Sequence, residues 1–284
     1  MEKYININGR LLDLSTPRVM GILNCTPDSF YEGSRVQTEK AIANRVNEIL
    51  GQGGDIIDVG AFSTRPGGVH VDSKEEMSRM RHALTILRQQ APDAIVSIDT
   101  FRPEIAQMAV EEYGAGIIND VSEGGITGIA NVPLESSTGK DCIPDMFRMV
   151  SRLRVAYILM SVKPDLDTML PAFEKEIRQL RSLGQKDIIL DPGFGFGKTL
   201  EQNYSLLANL ERIKILKEPF LVGISRKSMI FRLLGSTPDD SLNGTTVLNT
   251  ISLLKGASIL RVHDVKECVE TIRIIEKTRL CSEL

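Results

Sequence analysis

Eight short apolar runs, rich in β-branched residues, recur along this chain, and most end on a polar residue. They read RVMGILN ending at Asn24, DIIDVG around Asp58, AIVSID ending at Asp99 and AGIIND ending at Asn119-Asp120. The rest are VAYILM at Met160, DIILDPG at Asp191, PFLVGISRK reaching Lys227 and ASILRVHD carrying Arg261 and His263. Continuous apolar runs of this length read as strands buried on both faces. Between most of them lie stretches with apolar residues three to four apart, predicting helices at roughly 38–52, 74–90, 102–113, 166–183, 201–217, 239–255 and 265–279. Strands alternating with helices make parallel βα units. Eight units are the count of a (β/α)8 barrel, an α/β fold whose active site is built at the C-terminal ends of the strands. The polar endings then converge on one mouth.

Two segments fall outside this rhythm. YININGRLLDL predicts a β-hairpin turning at Asn8-Gly9, placed before the first barrel strand, where it plugs the bottom of the barrel. Residues 122–145 hold Gly, Ser, Thr and Pro with little periodicity, and read as a long surface loop before a short helix at roughly 144–153. No repeat and no composition shift marks a boundary, so residues 1–284 read as one domain.

Composition narrows the function. The formal net charge of −3 leaves no basic stripe, which argues against nucleic-acid binding. No apolar run approaches the roughly 18 residues of a membrane span, and the N-terminus has no apolar targeting core. Cys25, Cys142, Cys268 and Cys281 are scattered without metal spacing, as expected of reduced thiols in a cytoplasmic protein. His70, His82 and His263 form no zinc-binding pair.

The strand ends carry the chemistry. Asp99, Asn119 and Asp191 each close a run that should be buried, so each needs a partner. Together they make a donor–acceptor surface suited to a flat, nitrogen-rich heterocycle. Asn24 opens a polar Pro- and Gly-containing loop, and Arg65 stands in a Ser-Thr-Arg-Pro-Gly-Gly turn suited to a bidentate oxyanion contact. Ser225, Arg226 and Lys227 follow the seventh strand, and Arg261 and His263 follow the eighth, the two loops that frequently bind phosphate in such barrels. Lys227 alternatively reads as a Schiff-base lysine. DPGFGFGKT is not a nucleotide P-loop, because the spacing to Gly197-Lys198 is one residue short and Pro192 stands where the first glycine should be. Its glycines let a loop carrying Phe194 and Phe196 bend over the mouth.

These motifs, in order MGILNCTPDSF, GGDIIDVGAFSTRPGG, SIDT, IIND, ILDPGFGFGKT, VGISRKSMI and LRVHDV, resemble the dihydropteroate synthase family over nearly the whole chain. The resemblance implies a pterin-binding barrel that condenses 6-hydroxymethyl-7,8-dihydropterin pyrophosphate with p-aminobenzoate, using Mg²⁺, in a homodimer that is a sulfonamide target. Transferred by position, Asp99, Lys227 and Arg65 are catalytic. Asp99, Asn119, Met160, Asp191, Lys227 and Arg261 meet the pterin. Asn24, Arg65, Arg261 and His263 hold the pyrophosphate, with Asn24 on the metal. Thr64, Pro66, Phe196, Ser225 and Lys227 frame p-aminobenzoate. The chain departs from the family twice: Phe62 stands where many relatives have an acid, and Ser161-Val162-Lys163-Pro164 stands where most have His-Met-Arg-Gly. Two alternatives remain, a methyltetrahydrofolate-type methyltransferase barrel, which has no use for the Arg- and Lys-bearing loops, and a non-catalytic pterin-binding paralogue.

Overall fold

All eight apolar runs are strands. A computed structural model describes residues 4–25, 35–62, 72–125 and 143–282. The strands are β3 (Arg18–Asn24), β4 (Ile56–Gly60), β5 (Ile95–Asp99), β6 (Ile117–Asp120), β7 (Ala156–Met160), β8 (Ile188–Asp191), β9 (Leu221–Val222) and β10 (Ile259–Val262). They follow a hairpin of β1 (Tyr4–Ile7) and β2 (Arg10–Asp13). The eight are parallel in the order β8-β7-β6-β5-β4-β3-β10-β9. A single parallel bridge between Leu190 and Phe220 joins the two outer strands, so the sheet closes into the expected barrel.

Inward positions alternate with outward ones along each strand. Their polarity changes with height. The inward residues at the bottom, Met20, Ile56, Ile117, Ala156, Ile189, Leu221 and Ile259, pack into one apolar cluster with Ile5 and Ile7 of the hairpin. The hairpin is therefore the predicted bottom plug. It turns through Asn8 and Gly9, both at positive φ (53° and 82°), as a two-residue turn matched to strand twist requires. Two residues further up, the inward positions become polar: Ile56 gives way to Asp58, Ile117 to Asn119, Ile189 to Asp191 and Ile259 to Arg261. Outward residues of the strands pack against the helices in the larger core.

The helices are α1 (Arg35–Gly51), α2 (Ser73–Gln90), α3 (Pro103–Tyr113), α4 (Asp145–Leu153), α5 (Leu166–Ser182), α6 (Leu200–Ala208), α7 (Ser228–Leu234), α8 (Leu242–Leu254) and α9 (Val265–Ser282). Two sequence expectations need correction. The helix expected at roughly 201–217 ends at Ala208 and continues as a 3-10 stretch over Leu210–Leu216. Helix α7 was not anticipated. Its seven residues run straight on from the SRKS turn, so they offered too few turns for periodicity to show. The loop expected over 122–145 falls largely on residues 126–142, outside the described residues.

Candidate active site

Register places the strand-end groups side by side. Asn24 pairs with Gly60, Gly60 with Asp99, and Asp99 with Asn119, across β3, β4, β5 and β6. Met160 pairs with Asp191 across β7 and β8. Arg261 rises from β10 and reaches across the mouth. Its Nε donates to Asp58 Oδ2 at 2.6 Å and its Nη2 to Asp99 Oδ2 at 2.8 Å. Asn119 Nδ2 donates to the same Asp58 oxygen at 3.1 Å. Asp58 has no solvent exposure, whereas the side chains of Asp99 and Arg261 are 17% and 19% exposed. The buried acid thus anchors the arginine, and the two upper groups face the opening.

Asp58 is absent from the candidates drawn from sequence, although an acid inside the apolar run DIIDVG carries the same signal as Asp99. Its Oδ1 and the Oδ1 of Asn119 are buried without a hydrogen-bond partner among the described residues. Orphaned acceptors at the floor of a mouth await donors from a ligand or water, because burying them unpaired is costly.

The electrostatics are those of a dry, crowded site. Burial pushes the Asp99 carboxyl up to about 7 against the pull of Arg261, with Asp58 adding to the rise. Burial also raises Asp191, opposed by Lys227 and by the Gly193 N–H that donates to its Oδ1 at 2.8 Å. Burial brings Lys227 down to about 8, opposed by Asp191. For Arg261 burial works against the charge, but Asp58 and Asp99 outweigh it and hold the proton more firmly than usual.

The loops after β8, β9 and β10 complete the far side. Lys227 Nζ donates to the Phe194 carbonyl and stands 4.6 Å from the centre of the Phe196 ring. Phe196 joins Met160, Val121, Phe101 and Val162 in a small apolar cluster at the mouth. Phe194, expected to share that place, is instead fully buried in the outer core. Lys198 is not poised for phosphate: it donates to the carbonyls of Gly193, Phe196 and Ser161 at 3.0, 3.2 and 3.3 Å. Ser225 Oγ lies 3.0 Å from His263 Nδ1 and accepts from the His263 N–H at 3.2 Å. Arg226 turns away and forks onto Asp264 at 3.0 and 2.6 Å, tying the loops after β9 and β10 together. Asn24 is half-buried at the end of β3, and its amide oxygen lies with the Asp99 carboxylate on one side of Gly60. Thr64, Arg65 and Pro66 lie outside the described residues. Phe62 packs edge-to-face on Phe101 at 5.2 Å, and the Arg102 guanidinium covers both rings.

A (β/α)8 barrel with a carboxylate–guanidinium–amide floor and Lys227 beside it has a mouth suited to a polar heterocycle. The family model of pterin binding enzymes matches residues 20–263. The dihydropteroate synthase of Escherichia coli K12 is 38% identical over 277 residues, spanning 97% of this chain and 96% of that protein. The dihydropteroate synthase of Xanthomonas albilineans, solved with 4-aminobenzoic acid, superposes with a TM-score of 0.85 at 32% identity, covering 98% of this chain and 99% of that one. The same enzyme in complex with 7,8-dihydropteroate gives 0.82 at 32% identity, covering 97% and 98%. The chain belongs to the pterin-binding enzymes and, within them, to the dihydropteroate synthases, the transferases of folate synthesis.

Proposed function

We propose that this chain joins 6-hydroxymethyl-7,8-dihydropterin pyrophosphate to p-aminobenzoate, releasing pyrophosphate and 7,8-dihydropteroate. The observation that carries this reading is the Asp58–Arg261–Asp99 bridge at the mouth, with acceptors on Asp58 and Asn119 left for the donors of a nitrogen-rich ring. Asp99, Asn119, Asp191 and Lys227 hydrogen-bond the pterin, Arg261 stacks on it, and Met160 closes its apolar side. His263, Arg261 and Arg65 take the pyrophosphate charge. Phe196, Ser225, Lys227, Thr64 and Pro66 frame p-aminobenzoate. A pterin methyltransferase has no need for this cationic rim.

Mg²⁺ fits the oxygen donors present. Asn24 offers a hard amide oxygen beside the Asp99 carboxylate, and Mg²⁺ typically takes only one or two protein oxygens, with phosphates and waters filling the rest. When bound it neutralises charge on the leaving group. The protein's own residues do the remainder. Ionised Asp99 stabilises positive charge as it develops on the methylene conjugated to the pterin. The loops position the weakly nucleophilic aniline nitrogen against that carbon. No covalent enzyme intermediate is required. An assay for dihydropteroate from purified protein, with each substrate and Mg²⁺ omitted in turn, tests the reading. No product in the complete mixture refutes it.

The pH profile follows from the same groups. Turnover needs Asp99 ionised and Lys227 protonated, so kcat/KM should rise through about 7 and fall through about 8. For stability the sign is opposite on the acid side. A carboxyl raised in the folded state favours folding most below its unfolded value, and that contribution is lost as pH rises through about 7. An acid limb near the ordinary aspartate value of about 4 would contradict the role given to Asp99.

A homodimer is the proposed assembly. Helices α7, α8 and α9 leave Leu233, Leu234, Val247, Leu254, Ile274 and Leu280 exposed, candidates for an apolar contact with a second copy. Val247 and Leu254 lie two turns apart on one face of α8. Val247→Glu with Leu254→Lys should shift the protein to monomer in sedimentation equilibrium, and an unchanged mass would exclude α8 from the interface. The reading also places the enzyme in the cytoplasm. The described cysteines Cys25, Cys268 and Cys281 are free thiols, and among the described residues no helix is long and apolar enough to cross a membrane.

A further inference from the structure

The departure Ser161–Pro164 after β7 is held by one buried carboxylate from another loop. Glu123 follows β6, is fully buried, and has a left-handed backbone with φ 54°, which a residue with a Cβ seldom adopts. Its side chain gives that backbone a purpose. Oε1 accepts from Ser161 Oγ at 2.8 Å and from the Val162 N–H at 2.9 Å, while Oε2 faces Lys163 Nζ at 3.6 Å. Ser161 is a short hydroxyl, and Glu123 supplies the reach from the neighbouring loop.

Ser161 relays the anchor onward. Its N–H donates to the Asp191 carbonyl at 2.9 Å, and its own carbonyl accepts from Lys198 at 3.3 Å. The same ammonium holds the Gly193 and Phe196 carbonyls. Gly193 has φ 67°, and a Cβ there would collide with the Ser161 carbonyl oxygen, so the loops after β7 and β8 are in direct contact. Val162, pinned by Glu123, packs in the same apolar cluster as Phe196.

We propose that Glu123 is a positioning residue that sets the p-aminobenzoate wall at Phe196, acting through Val162, Ser161 and Lys198. The inference rests on the proposed role of Phe196, and two variants separate the two ideas. Glu123→Gln keeps the acceptor oxygen for Ser161 and Val162. Glu123→Gly removes the side chain but also removes the backbone conflict, so loss of the fold is not expected. In steady-state assays Glu123→Gly should raise KM for p-aminobenzoate about tenfold, the equivalent of ~1.4 kcal/mol of binding. Its kcat and its KM for the pterin substrate should stay within about threefold, and Glu123→Gln should track the wild type. An unchanged p-aminobenzoate KM in Glu123→Gly, or a parallel loss in kcat and both KM values, overturns the proposal. A crystal structure of Glu123→Gly decides it independently of turnover: Val162 and Phe196 should move, and superposable positions would overturn the brace. A wild-type protein that makes no dihydropteroate would refute the functional reading, leaving that crystallographic comparison to judge the brace.

Discussion

Asp99→Asn should lower kcat at least a hundredfold in a protein that stays folded. The substitution preserves size and leaves an amide oxygen to accept from Arg261, so the geometry of the mouth is kept. It removes the charge. That charge matters most when pyrophosphate departs and the pterin methylene becomes cationic, so its loss falls on the transition state more than on substrate binding. Removing one preorganised electrostatic group from a water-poor site costs about 2.7–4 kcal/mol of barrier in comparable cases. Stability should not suffer. Burial already pushes the Asp99 carboxyl up to about 7, so above that pH the wild type bears an ionised group that a neutral amide spares. The check is single-turnover kinetics alongside thermal unfolding. A variant retaining more than about a tenth of wild-type kcat, a barrier change under ~1.4 kcal/mol, would remove Asp99 from the chemistry.

The barrel was legible because its signal is repeated: eight buried strands each carry an apolar run, and period-two alternation puts Asp99, Asn119, Asp191 and Arg261 at the height where inward positions turn polar. What sequence left out is what depends on partners across the fold. Asp58 lies two residues below the rim of β4, and only the reach of Arg261, 203 residues later, shows it to be the anchor. The destination of Arg226 was equally hidden. A cationic residue inside SRKS reads as an anion ligand until its Nε and Nη2 are found on Asp264. Phe194 and Phe196 look alike in DPGFGFGKT, yet positive φ at Gly193, Gly195 and Gly197 turns one ring into the core and the other to the mouth. Glu123 carried no local signal at all, since its partners Ser161 and Val162 come from another loop.

Arg261→Met should cost about 3–5 kcal/mol of stability as well as activity, the scale for breaking a buried ion pair from one side. Asp58 is fully buried, and among the described residues its only charged hydrogen-bond donor is the Arg261 Nε at 2.6 Å; Asn119 at 3.1 Å is neutral. Without the guanidinium, Asp58 and Asp99 stand on the neighbouring strands β4 and β5 with Arg261 no longer bridging them. Without its cation the Asp99 carboxyl is harder to ionise, so the variant should be nearest the wild type in acid and lose ground as pH rises through about 7. Arg261→Lys should rescue little, because an ammonium lacks the planar fork whose Nε and Nη2 span the two carboxylates. Asp58→Asn added to Arg261→Met should recover most of the stability, since the orphaned charge is gone, while turnover stays low for want of the pyrophosphate and pterin contact. Urea unfolding of the three variants at roughly pH 5.5 and 8, each side of the Asp99 transition, measures all of this. A double variant no more stable than Arg261→Met would show that Asp58 is not the group the arginine neutralises.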